Sequence, residues 1–254
     1  MRALPPSPWL APFVRELLIV ETTEAVTRVR LPEPGLVLGV RYRGSASLVD
    51  GAAARLPDVT LTGMTAVARR MHTAAESGVI LVRFRPAGAA RFFAQPMHEL
   101  FGTTAPLAEL LPRPDAARLQ SQVIEAADDR ARAAVLESFL AARLRPDAPD
   151  PVVGAAIEAL DEAGGILPIR VLARRLAISR DPLEKRFRRA VGTSPKQFAS
   201  LLRLRRAIEG YRPGASLTQL ALEAGYFDQA HFSRALRAVT GQSPGQFLRA
   251  GAHR

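Results

Sequence analysis

GYFDQAHFSRALRAVTGQSPGQFLR, residues 225–249, repeats a pattern the chain has already used once. TSPKQF (193–198) returns as QSPGQF (242–247), and Gly192, Leu183 and Phe187 return as Gly241, Phe232 and Leu236, all at an offset of 49. Leu172-Ala173 returns as Leu220-Ala221 at 48, so the second copy holds one extra residue near the turn between two short helices. Insertions are tolerated in turns. Each repeated part has a physical reading. Ser194 and Ser243 can cap a helix, with Pro195 and Pro244 at its first position and Gln197 and Gln246 completing a capping box. Ser216 and Gln219 make a third such box. Gly192 and Gly241 stand where a helix must stop. In the second copy Gly225 supplies a tight turn and Asp228 caps the helix 229–239; in the first, Ser179 is the expected cap, with Pro182 in the first turn. Short helix, tight turn and capped second helix with a basic face describe helix-turn-helix geometry. Two copies are too few for a solenoid; a plain helical bundle is the other reading.

Charge follows the repeat. The 254 residues carry 35 basic and 24 acidic side chains, a net charge of +11. Residues 1–150 hold 18 basic and 16 acidic, whereas 151–254 hold 17 and 8. Arg170 to Arg206 contains 12 basic residues opposed only by Asp181 and Glu184. A field gathered in one segment points to a polyanion, although a solvated helical surface has the same composition.

Upstream, the first hundred residues read mainly as strands, at 24–31, 35–43, 47–51, 58–63 and 78–85, punctuated by Gly and Pro. A sandwich or small barrel follows. Helical spacing then appears at 87–95, 115–128 and 129–145. RPDAPDP (145–151) is the best linker, and beyond it helices are expected at about 151–163, 168–177, 179–191, 194–211, 216–224, 228–239 and 244–250. The expected architecture is α+β: a sensor domain over 1–145, a linker at 146–150 and an all-α domain over 151–254.

The segment 225–249, with LARRLAISRDPLEKRFRRAVGTSPKQF (172–198) and RLRRA (203–207) before it, resembles the signature of the AraC/XylS family of bacterial transcription regulators. PPSPWLAPFV (5–14) and VRFRPAGAARFFAQPMHEL (82–100) resemble the cupin-like sensor barrel of one branch of that family. The resemblance implies a double helix-turn-helix joined by a linker helix, an effector-binding barrel and, often, dimerisation. Double-stranded promoter DNA, a small-molecule effector, RNA polymerase and a second copy of the chain are the candidate partners. The chain departs from the pattern at Ala177, where glycine is frequent, and at Asp181 and Pro182, where a basic or bulky residue often opens the first recognition helix.

On that alignment Asp181, Glu184 and Lys185 of the first recognition helix, and Gln229, Ala230, His231 and Arg234 of the second, are the candidate base contacts. Lysine suits guanine O6/N7 and a carboxylate accepts from cytosine N4. Glu184 could instead pair with Arg188, and His231 could bond phosphate or brace the motif. Arg174, Arg175, Arg180, Arg188, Arg203, Arg205, Ser233 and Arg237 are candidate phosphate contacts, which position without specifying. The joining helix could hold both recognition helices in successive major grooves of one DNA face.

The barrel offers fewer signals. There is no cysteine, which excludes a disulfide scaffold, a cysteine-ligated zinc and the cysteine-based alkyl transfer of some relatives. Of four histidines only His72 and His98 lie in the sensor half, His231 and His253 in the other; a metal-dependent cupin-type enzyme needs a tighter cluster. No cofactor or metal is expected, and no catalytic motif appears. A protein-interaction module without specific DNA binding is the remaining alternative. Alternation puts Leu81, Arg83 and Arg85 on one strand face. With Arg41, Arg43, Met71 and His72, the arginines Arg83 and Arg85 are the candidate pocket residues for an anionic effector, the other reading being an outward face. No apolar run reaches membrane-span length and no leader pattern precedes the strands, so a cytoplasmic protein is expected.

Overall fold

The structure, a computed structural model, describes residues 1–50 and 54–249. The expectations at Gly51 and His253 lie outside them.

Among the described residues ten strands form two antiparallel sheets. They are β1 (Arg2–Leu4), β2 (Val14–Thr22), β3 (Val26–Arg30), β4 (Val37–Arg43), β5 (Ala46–Leu48), β6 (Ala54–Arg55), β7 (Val59–Thr62), β8 (Arg69–Thr73), β9 (Ser77–Phe84) and β10 (Thr104–Pro106). One sheet has the order β1-β2-β9-β4-β7-β10, the other β3-β8-β5-β6. The larger sheet is covered on both sides. Leu17, Ile19, Leu38, Val40, Leu61, Ile80 and Val82 point into an apolar core. Their alternates Leu18, Val20, Val37, Thr60, Thr62, Val79 and Leu81 line a cavity toward the smaller sheet.

The helices follow: α1 (Leu107–Leu110), α2 (Arg113–Glu125), α3 (Asp129–Ala141), α4 (Pro151–Glu162), α5 (Ile169–Arg175), α6 (Arg180–Val191), α7 (Pro195–Gly210), α8 (Leu217–Glu223), α9 (Gln229–Thr240) and α10 (Pro244–Arg249). Leu119 and Val123 of α2 and Leu136 and Leu140 of α3 join the core behind the larger sheet. The α+β class holds, as do the helices expected after residue 150.

Two local expectations fail. Residues 87–95 are not an α-helix; a single 3-10 turn, Gly88–Arg91, is entered through Ala87 at φ 62°. It ends because the adjacent Phe92 and Phe93 are both drawn inward, against Phe13 at 5.7 Å and Phe84 at 6.2 Å. Ser179 precedes α6 but makes no side-chain cap bond, whereas Asp228 accepts from the His231 backbone N–H at 2.6 Å.

The Pro-rich segment does not divide the apolar core. The cluster behind the larger sheet runs on through Val153, Leu172, Leu183, Phe187 and Phe198 to Leu201. A second cluster starts at Leu204 and takes in Tyr226, Phe232, Leu236 and Phe247, with Val29 and Leu31 of the smaller sheet's side packed on it. The packing therefore divides inside α7. Asp150 caps α4 through the Val152 and Val153 N–H groups and accepts both Arg186 bonds, at 2.7 and 2.8 Å, which ties the linker to α6.

Candidate nucleic-acid interface and internal cavity

Both repeats end their first helix in the same way. After α5 the Ala177 N–H bonds the Arg174 carbonyl and the Ile178 N–H the Ala173 carbonyl; after α8 the Gly225 N–H bonds Leu222 and the Tyr226 N–H Ala221. This is the Schellman pattern, which needs a left-handed residue. Gly225 supplies it at φ 79° and Ala177 at φ 49°. The extra residue of the second copy is Phe227, between Tyr226 and the cap Asp228. It is 85% exposed, the most exposed of the large hydrophobic side chains described. The offset change in the sequence was its only signal.

In α6, Leu183, Phe187 and Val191 are buried, while Arg180, Asp181, Glu184, Lys185 and Arg188 are exposed. Glu184 lies 3.8 Å from Arg188. Arg174 and Arg175 of α5 are exposed beside them. In α9, Phe232 and Leu236 are buried and Gln229, Ala230, Arg234 and Arg237 exposed. Gln229 Oε1 accepts from Thr218, which links α9 to α8. Half-buried His231 packs edge-on against Tyr226 at 5.2 Å, and Ser233 donates back to the Gln229 carbonyl at 2.8 Å. The two exposed faces lie on helices flanking α7, whose 16 residues span roughly 24 Å.

Two candidates on α7 are placed elsewhere. Arg205 donates to the Pro32 carbonyl at 3.1 Å and faces Glu33 at 3.4 Å, across the boundary with the barrel. Arg203 is half-buried, its guanidinium 5.4 Å from the Tyr226 ring centre. A phosphate contact by either would displace these interactions.

The cavity between the sheets is about 430 Å³. Of the candidate pocket residues, Arg41, Met71 and Arg83 line it. The other three are engaged elsewhere: Arg43 faces Glu21 at 3.7 Å, His72 Nδ1 meets Thr27 Oγ1 at 3.1 Å, and Arg85 donates to the Ala11 carbonyl at 2.8 Å. Arg28, Arg30, Glu33, Asp58 and Arg69 were not anticipated there. Charge alone could not reveal them, because facing depends on sheet pairing. Nearest α7, Arg83 binds Glu16 at 2.7 Å and also Glu33, and Arg15 and Arg205 close on Glu33 at 3.2 and 3.4 Å. Burial acts to raise the Glu33 carboxyl, but the Arg83 bond and the Arg205, Arg83 and Arg15 charges outweigh it and hold it below the usual range. Arg41 is different. It is 7% exposed, and its Nε and Nη1 have no hydrogen-bond partner among the described residues. Asp58 stands 3.9 Å away. Burial pushes the Arg41 guanidinium pKa down, against the charge of Asp58. No group of three or more metal-ligating side chains occurs among the described residues, and none of their helices is long and apolar enough to cross a membrane.

Residues 172–250 match the model of a helix-turn-helix domain, and residues 2–106 that of a domain of unknown function (DUF6597). An AraC-like transcription regulator from Streptomyces lividans is 32% identical over 100 residues, 39% of this chain and 33% of that protein, so the match spans about a third of the relative. A ToxT structure from Vibrio cholerae aligns over 92% of this chain and 97% of its own, at 13% identity and a TM-score of 0.49. An AraC-type regulator from Chromobacterium violaceum aligns over 40% of this chain and 92% of its own, at 27% identity and a TM-score of 0.36. The C-terminal repeat is thus a helix-turn-helix domain, similar over 100 residues to an AraC-like transcription regulator.

Proposed function

We propose that this chain is a sequence-specific DNA-binding transcription regulator that reads a bipartite half-site and takes a small-molecule effector in its barrel. The observation that carries the reading is the pair of polar, exposed recognition faces, α6 and α9, flanking one 16-residue helix. Two such faces suit successive major grooves, roughly 34 Å apart on one side of the duplex. Arg234, exposed and without an ion pair among the described residues, is the leading base contact. Lys185, Asp181, Glu184, Gln229 and Ala230 flank the reading surfaces, and Arg174, Arg175, Arg180, Arg188 and Arg237 hold phosphates. His231 and Ser233 brace α9. RNA polymerase and a second copy of the chain belong to this reading as protein partners at a promoter.

The cavity supports the effector half of the reading. Its size falls within the range of small-molecule sites, and Arg205 links it to the joining helix. The test is selection of duplexes from a random pool by the full chain. Enrichment of one motif with two conserved blocks about one helical turn apart, with log K falling steeply against log salt, is expected. Binding without any enriched motif would overturn the reading in favour of a non-specific or interaction module.

A further inference from the structure

The residue that the second repeat has and the first lacks is Phe227, set between Tyr226 and the α9 cap Asp228. A capped helix commonly packs the apolar residue before its cap against the fourth residue after it. The first repeat has residues in those places: Ile178 precedes Ser179 and packs on the cluster that holds Leu183. In the second repeat the contact has moved back by one residue. Buried Tyr226, and not Phe227, lies against Phe232, with ring centres 5.3 Å apart. Phe227 is left in solvent, with no ring or cation contact among the described residues. A lone exposed hydrophobic side chain is ordinary on a protein surface. This one is set apart by its place. It stands one residue ahead of the cap, at the end of α9 where Gln229 and Ala230 are also exposed. The N-terminal residues of a recognition helix are those that meet base edges. Farther along α9, exposed Arg234 and Arg237 supply positive charge.

Resting on the DNA-binding reading above, we infer that Phe227 is a specificity-determining residue whose ring covers the C5 methyl group of one thymine in the major groove that α9 enters. That methyl group is the apolar feature of the major groove, it marks thymine alone among the four bases, and phenylalanine is among the side chains that meet it. Ring and methyl group both gain by leaving water. Gln229 and Arg234 have the hydrogen-bonding chemistry that suits adenine and guanine, so Phe227 adds a thymine to a surface otherwise fitted to purines. The start of α6 exposes Arg180, Asp181 and Pro182 and no aromatic ring. The methyl contact of Phe227 therefore belongs to one block of the bipartite site and has no counterpart in the other.

The test uses binding titrations of the full chain on the site that duplex selection yields. In the block that Arg234→Ala weakens, each thymine is replaced in turn by deoxyuridine, which lacks the C5 methyl group and keeps every hydrogen-bonding group. One replacement should weaken wild-type binding about fourfold, the scale of burying one carbon group. Phe227→Ser should bind the thymine and deoxyuridine sites equally at that position, and methyl effects in the other block should be the same in Phe227→Ser as in wild type. Phe227→Leu, which keeps an apolar side chain, should restore part of the difference. Arg234→Ala should weaken binding and keep the difference. Because Phe227 is exposed, Phe227→Ser should melt with the wild type, which separates a lost methyl effect from unfolding. A block without thymine, no methyl effect in the wild type, or an effect that survives Phe227→Ser would overturn the inference and leave the ring to a protein partner, with Ile166 and Leu222, the other exposed large apolar side chains described beyond residue 150. Failure of the selection to enrich any motif would instead overturn the sequence-specific reading on which the inference rests.

Discussion

Replacing Ala177 by glycine should make the protein more stable. Ala177 is the left-handed residue of the Schellman turn between α5 and α6, at φ 49°, in the place that Gly225 fills in the second repeat. An L-residue in that region costs about 1–2 kcal/mol, because its Cβ crowds the following carbonyl. Glycine relieves that strain, but its freer unfolded chain returns about 0.4–1 kcal/mol. Ala177 is exposed, so its methyl group gives up little packing. The net gain is about 0.5–1 kcal/mol, or roughly 1–4 °C in Tm for a chain of this size. Urea and thermal denaturation of the full chain, followed by circular dichroism, measure it. Operator affinity should not change, since the α6 face is untouched. A loss of stability, or a midpoint indistinguishable from wild type, would refute the claim that this turn carries strain which its counterpart avoids.

The same reasoning runs in reverse at the native glycines. Gly225→Ala should cost more stability than Gly241→Ala, because an added Cβ would collide with Ile166 Cγ1 in the first case and meet nothing within 4 Å among the described residues in the second; equal melting shifts would argue against it. Arg234→Ala should lose about 1–3 kcal/mol on the selected operator and relax one position of the motif, as read by binding titrations on single-base variants, whereas a uniform loss on all sequences would reduce it to a phosphate contact. For Glu33, the folded carboxyl lies below its unfolded value, so its contribution is complete above about pH 4.5 and fades as pH falls through the lowered folded value. Glu33→Gln should therefore lower Tm at neutral pH and flatten its acid dependence below about pH 4.5, and an unchanged acid limb would show that the arginine cluster around Glu33 contributes nothing.

The C-terminal half was legible because its signals are local. The S-P-x-Q repeat, the glycines at helix ends and the inward pairs Leu183/Phe187 and Phe232/Leu236 each act within one or two helical turns. Structure adds detail there: Ser194 and Ser216 accept from the Gln197 and Gln219 N–H groups, but only Gln246 reaches back to the N–H of its serine. The barrel was harder to read. β2 escaped because Leu17 to Val20 is a continuous apolar run: one set of alternates faces the core and the other the cavity, so no polar–apolar alternation marks the strand. β8, RRMHT, escaped for the opposite reason, since its inward positions put Arg69 and Thr73 beside Met71, so no apolar alternation marks the strand. Arg83 followed the alternation of its strand, whereas Arg85 lies past the end of β9 and turns to the Ala11 carbonyl. The tie between Arg205 and Glu33 joins residues far apart in the chain, and nothing in either local sequence announces it.

The central claim is that α6 and α9 act as one reader held apart by α7. Hydroxyl-radical footprinting of the full chain on its selected site measures this most directly. The account predicts two protected backbone segments on one face of the duplex, about one helical turn apart, with Arg234→Ala weakening protection in one of them and Lys185→Ala in the other. A single protected segment, or two that both respond to the same substitution, would contradict it.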